Sequence, residues 1–183
     1  MTNPKPQKQP PQYRPHWCPP KLGWYKINVD GAIFKDPHCC GIGVIIRNER
    51  GQIMGAMSKK LPLPLGALEV EAKAAEEGIT LARDLGHWEV VVEGDSVTVM
   101  SALSGVNQPP SSIQKVVESS VHMLRRFKDW EAKYVGRNSN VAAHQLARNA
   151  NSISDAVIWV EDTPLAIVNQ VLLDVASMGC CPY

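Results

Sequence analysis

The chain lacks the spacings and runs that mark several common classes of protein. It has five cysteines, Cys18, Cys39, Cys40, Cys180 and Cys181, an odd number with no C-x-x-C pair among them. A disulfide framework or a thiolate zinc site is therefore not expected, and a reduced, intracellular setting fits best. No apolar run approaches the ~18 residues needed to span a bilayer, and no secretory leader is apparent, so a chain with no membrane partner is expected. Excess charge of one sign is also missing. The formal net charge is +1, which excludes binding to nucleic acid through an overall basic field and leaves a local patch as the only electrostatic route.

What is present is ordinary globular composition: 183 residues, 44% hydrophobic and 20% charged, enough for one domain with a proper core. Residues 1–20 are rich in Pro, Gln and Lys and poor in aliphatics, and are expected to form a disordered tail dispensable for folding. Residues 21–154 then carry a regular alternation of patterns. In "GWYKINVDGA", residues 23–32, Tyr25, Ile27 and Val29 share one face and Trp24, Lys26, Asn28 and Asp30 the other. That period of two predicts a half-buried strand ending at Asp30. Residues 41–61 predict two more strands joined by a turn at 48–51, making an antiparallel meander. A helix over 69–86, a strand ending at Asp95, helices over 96–103 and 111–127, a strand from Trp130 and a helix over 140–150 follow. This order implies one mixed sheet with helices packed on it. Residues 155–183 are apolar enough for a strand or short helix and are expected to form a docking or interaction tail.

Three acids stand out. Asp30 ends a strand, where its alternative role is a turn aspartate beside Gly31. On a helical wheel Glu71 lies on the apolar stripe of Ala74, Ala75, Gly78, Leu81, Ala82 and Leu85, the one charge of its helix aimed at the sheet. Asp95 follows "VVV" and heads a helix, where its alternative role is an N-cap. Three acids at one end of a sheet repel one another unless a divalent cation compensates, and an all-oxygen donor set favours Mg²⁺ or Mn²⁺ over zinc.

The segments "INVDGA", "GIGVIIRNERGQI", "EVEAKAAEEGITLARDLG", "VVVEGDSVTVMSAL" and "RNSNVAAHQLARNA", in this order, closely resemble the type 1 ribonuclease H domain, and most of all the plant version found in reverse-transcriptase-derived proteins of non-LTR retroelements. The resemblance covers residues 21–150 or so. It implies an α/β ribonuclease H-like fold, with a mixed five-stranded sheet flanked by helices. It also implies Mg²⁺-dependent endonucleolytic hydrolysis of the RNA strand of RNA/DNA hybrids, with two Mg²⁺ ions and Mn²⁺ as an alternative. By resemblance Asp30, Glu71 and Asp95 are the metal ligands and catalytic residues, and the protein acts as a monomer on nucleic acid.

The match departs from the family in two places. His144 stands where the family has a fourth carboxylate, so it is carried over as a catalytic and metal-binding position, with a plain surface histidine as the alternative. The loop "VGRNSN" offers Arg137 and Asn138 where many members keep a histidine. Asn28 and Ser96, which flank two of the acids, and Arg137 are the candidate nucleic-acid contacts. The basic cluster Arg125, Arg126 and Lys128 reads equally well as a solvated helix end.

Overall fold

The computed structural model describes residues 15–36 and 38–181. Six strands, β1 (Tyr25–Phe34), β2 (Cys39–Arg47), β3 (Ile53–Leu61), β4 (Glu89–Gly94), β5 (Asp129–Tyr134) and β6 (Ala156–Val160), form one sheet in the order β5-β4-β1-β2-β3-β6. β1, β2 and β3 are the antiparallel meander, while β4 and β5 run parallel to β1. The expected architecture holds, with one strand more than the five expected.

Helices α1 (Ala67–Asp84), α2 (Val97–Leu103) and α3 (Gln114–Leu124) cover one face of the sheet, and α4 (Val141–Asn149) and α5 (Val168–Ser177) lie on the other side. On the first face Ile27, Val29, Ile42, Val44, Val90 and Val92 meet the Ala-rich stripe of α1. On the second, Ile45, Ile53 and Ala56 meet Ala142, Ala143 and Leu146 of α4. Burying such side chains stabilises by roughly 1.5–3 kcal/mol each for the larger aliphatics. β2 is therefore buried along its whole length.

α4 can sit this low because β2 has glycine beneath it. A Cβ on Gly43 would stand 2.1 Å from the carbonyl oxygen of Ala143 and 2.3 Å from the amide nitrogen of Ala147. Both are backbone atoms with no rotamer to yield. Gly43→Ala should lift α4 and destabilise the fold by about 1–3 kcal/mol, read as a lower midpoint in urea unfolding. A change below ~0.5 kcal/mol, the size of an ordinary surface substitution, would mean that the helix is not held against the strand.

The structure corrects three of the expectations. β1 does not end at Asp30 but continues four residues to Phe34, and both of its faces are covered. The expected tail 1–20 is also too long. Residues 1–14 lie outside the described residues, but Trp17 is 1% exposed, donates from Nε1 to Asn28 Oδ1 at 2.9 Å, and stacks its ring 3.7 Å from the Arg47 guanidinium. This strap, residues 15–20, roofs the polar side of β1, where Lys26 Nζ donates to the Cys18 carbonyl and pairs with Glu93 at 2.7 Å. Average composition hides a single tryptophan that does this work.

The segment 155–183, expected to form a docking or interaction tail, docks on the domain's own sheet. β6 pairs antiparallel with β3, from Gly55↔Val160 to Lys59↔Ala156, and α5 brings Asp174 to Arg47 at 2.7 Å with both side chains buried. Cys181 closes a disulfide with Cys18, 163 residues away, where free thiols were expected. Cys39, Cys40 and Cys180 remain free. Among the described residues no helix is long and apolar enough to cross a membrane.

Candidate active site

The register of the two parallel strands brings the first two acids together. Val29 of β1 stands opposite Gly94 of β4, so Asp30 and Asp95 are the next residue on each of two adjacent strands. Asp95 is spared capping duty, because Ser96 is the N-cap of α2 and its Oγ accepts from the Val99 amide. Glu71 arrives from the second turn of α1. Its approach depends on Gly31, where a Cβ would meet Val70 Cγ1 at 2.7 Å, and the Gly31 amide donates to Glu71 Oε1 at 3.3 Å. One carboxylate oxygen from each of Asp30, Glu71 and Asp95 lies within 4.8 Å of the others.

From the other face, Asn140 at the start of α4 donates from Nδ2 to the Val29 carbonyl at 2.9 Å and so pins that helix beside the cluster. One turn on, His144 Nδ1 lies 2.7 Å from Asp30 Oδ2, which settles the open question of which way this histidine faces. Arg137, in the loop after β5, stands with Nε 3.6 Å from Asp95 Oδ2 and its side chain largely in solvent.

The electrostatics follow from crowding. Burial and the negative charge of Asp95 push the Asp30 carboxyl up, and the His144 contact pulls it partly back. Burial, then Asp30, then Asp95, push Glu71 to about 9. Without a cation the cluster thus keeps a proton at neutral pH. Three converging oxygen donors with a surplus of negative charge suit a hard divalent cation, so the residues present fit the metal that the fold family implies.

Of the sequence-derived candidates, Asp30, Glu71, Asp95, His144 and Arg137 converge. Asn28 does not: it is fully buried beneath the strap, accepting from Trp17 and donating to Glu93 Oε2, with no face for a ligand. Ser96 is at the rim but engaged as a cap. Two contributors went unread. Gly31 enters the sequence reading only as the neighbour of a turn aspartate and Asn140 only as the first residue of a helix, although a polar residue at a helix start is itself a positioning signal.

The arrangement can be set beside known proteins. A family model described as reverse transcriptase-like matches residues 28–150, the span that holds all five converging side chains. RNase H1 from the halophilic archaeon Halobacterium salinarum is 22% identical, with a TM-score of 0.66 over 70% of this chain and 98% of that one. LC11-RNase H1, from compost metagenomic DNA and solved in complex with an RNA/DNA hybrid, is 20% identical, with a TM-score of 0.63 over 71% of this chain and 99% of that one. The protease-reverse transcriptase of prototype foamy virus is 19% identical, with a TM-score of 0.55 over 82% of this chain and 22% of that one. Curated proteins contain no match. At these identities the solved structures speak for the ribonuclease H-like fold, and with two thirds of its length matched by the family model, the chain belongs to the reverse transcriptase-like family.

Proposed function

We propose that the protein hydrolyses the RNA strand of RNA/DNA hybrids endonucleolytically and depends on a divalent cation to do so. The observation that carries this reading is the convergence of Asp30, Glu71 and Asp95 within 4.8 Å at the rim of a ribonuclease H-like sheet. The hybrid bound by LC11-RNase H1 supports the choice of substrate. Asp30, Glu71 and Asp95 would hold Mg²⁺, two ions in the full arrangement, with Mn²⁺ as an alternative. Such cations activate a water for in-line attack on a phosphodiester and offset charge on the leaving oxygen.

The chain's own groups prepare that chemistry. Glu71 gives up the proton it holds in the metal-free cluster, and the Gly31 amide keeps its carboxylate turned toward Asp30. His144 orients Asp30 through their shared hydrogen bond. Arg137 supplies a positive group at the mouth of the site for a phosphate oxygen. It cannot serve as a base near neutral pH. Base sequence need not be read, because a hybrid is recognised through groove shape, phosphates and 2′-hydroxyls. The similarity to a viral reverse transcriptase is in keeping with descent from a retroelement. Labelled RNA/DNA hybrid, duplex DNA and duplex RNA, each incubated with Mg²⁺ or Mn²⁺, test the reading directly. Cleavage confined to the hybrid's RNA strand is expected. Cutting of duplex DNA would make the protein a different nuclease on the same fold.

One observation favours a second reading, a nucleic-acid-binding module with weak or lost catalysis. His144 occupies an oxygen of Asp30 and brings no negative charge where the family has an acid. Imidazole suits transition metals better than Mg²⁺, so the natural protein should cleave better with Mn²⁺, by about tenfold if the difference in metal binding is near 1.4 kcal/mol. His144→Asp should shrink that preference and tighten Mg²⁺ binding. Identical metal titrations for the two proteins would make His144 a bystander, and inactivity of both would favour the binding module.

A further inference from the structure

At the junction of the strap and the C-terminal segment, three soft donors converge that the acidic site does not use. His16 Nε2 lies 3.5 Å from Cys181 Sγ and 3.9 Å from Cys18 Sγ, and the three donor atoms fall within 4.8 Å of one another. Zinc in a tetrahedral site, with Zn–S near 2.3 Å and Zn–N near 2.0 Å, requires nitrogen–sulfur edges of about 3.5 Å and a sulfur–sulfur edge of about 3.8 Å. The His16–Cys181 distance of 3.5 Å already meets that requirement, and the His16–Cys18 distance of 3.9 Å needs only a small closing movement. The sulfurs are joined as a disulfide and would have to part, which side-chain rotation allows for residues whose Cα atoms are 5.7 Å apart.

The backbone around the donors is held in advance. Trp17, between His16 and Cys18, is anchored by its hydrogen bond to Asn28 and its stack on Arg47, and Ser139 Oγ donates to the His16 carbonyl at 3.0 Å. Two thiolates and a neutral imidazole also balance the charge of Zn²⁺, so no further counter-ion is required.

We propose that reduction of the Cys18–Cys181 disulfide converts this corner into a zinc site with His16 Nε2 and the two sulfurs as its protein ligands. A dithiol reductant supplies two electrons and two protons and is itself oxidised to a disulfide. The two protein thiols then release their protons to solvent as Zn²⁺ binds. Disulfide and zinc are mutually exclusive states of one site, and either ties residues 16–18 to the C-terminal segment.

Cobalt reports the site without interference from the acidic cluster, since thiolate-to-cobalt charge transfer absorbs in the near ultraviolet and carboxylates give no such band. The full chain, reduced with dithiothreitol and desalted without oxygen, should develop the band with one equivalent of Co²⁺ and lose it to one equivalent of Zn²⁺. The oxidised chain should show none. Cys181→Ser should abolish the band, His16→Ala should weaken cobalt binding at least tenfold, and Cys180→Ser and Asp30→Asn should leave it intact, with folding of each variant checked by circular dichroism. No band in the reduced, folded chain, or a band that survives Cys181→Ser, would overturn the proposal.

Discussion

Glu71→Gln should yield a metal-free protein that is more stable than the natural one and, if the proposed function is right, all but inactive. Folding raises the Glu71 carboxyl from its ordinary 4.5 to about 9, through burial first and then the charges of Asp30 and Asp95. The folded state therefore binds more protons than the unfolded chain throughout that interval. Stability must fall as pH climbs from about 4.5 to about 9, the reverse of an acid held in a salt bridge. Glutamine copies the protonated form, keeps an oxygen for the Gly31 amide, and has no proton to take up. A gain of about 1–3 kcal/mol at neutral pH is expected, with a flatter pH profile, because the repulsion from Asp30 and Asp95 is relieved. Removing one of the carboxylates proposed to hold the cation should lower hybrid cleavage by about 10³-fold or more. Thermal melts between pH 4 and 9 in chelator, with and without the substitution, check the first effect, and single-turnover cleavage checks the second. A variant less stable than the parent at every pH would show that Glu71 is a structural group and not one of a strained cluster.

The second large effect belongs to a position remote from the three acids. Arg47 is 1% and Asp174 4% exposed, and their 2.7 Å bond joins the end of β2 to α5. Gln170 Nε2 donates to the other Asp174 oxygen, while the Arg47 Nε has no partner among the described residues. Asp174→Ala would leave a guanidinium buried against Trp17 without its counter-charge, a change that should destabilise by about 3–5 kcal/mol. Asp174→Asn, which keeps the shape, should cost nearly as much. Replacing both partners together, as in Arg47→Met with Asp174→Leu, should recover most of the loss, because a buried pair contributes little over well-packed apolar side chains. Denaturant unfolding of the parent, Arg47→Met, Asp174→Leu and the double variant completes the cycle. A loss under ~1 kcal/mol for Asp174→Ala would place the pair in water.

The parts of this fold that could be read from the chain are those with a local period. Alternation marked β1, and the wheel singled out Glu71 because one charge on an apolar stripe is visible within 18 residues. The unread parts depend on partners distant in sequence. Trp17 looks like one aromatic in a proline-rich stretch until the polar row of Lys26 and Asn28 is seen to need a roof. β6 has the composition of many apolar segments and becomes a strand only because the edge of β3 is open to it. Cys18 and Cys181 carry no spacing signal across 163 residues. Within the site, each acid was legible at a strand or helix end, but their closeness rests on the Val29↔Gly94 register and on the missing Cβ of Gly31, which no periodicity encodes.

The meeting of Cys18 and Cys181 also sets how this domain can be joined to others. With their Cα atoms 5.7 Å apart, the described residues begin and end at nearly one point. A body with that outline can be spliced into a surface loop of a host protein with hardly any widening of the loop, or strung in tandem on short connectors. It also tolerates relocation of its ends: bridging residues 15 and 181 with a brief linker and opening the chain at the exposed 104–109 loop should give a permuted protein with the same sheet. Under tension applied through its two ends, the oxidised domain would carry the load across one covalent bond and leave the sheet unstretched.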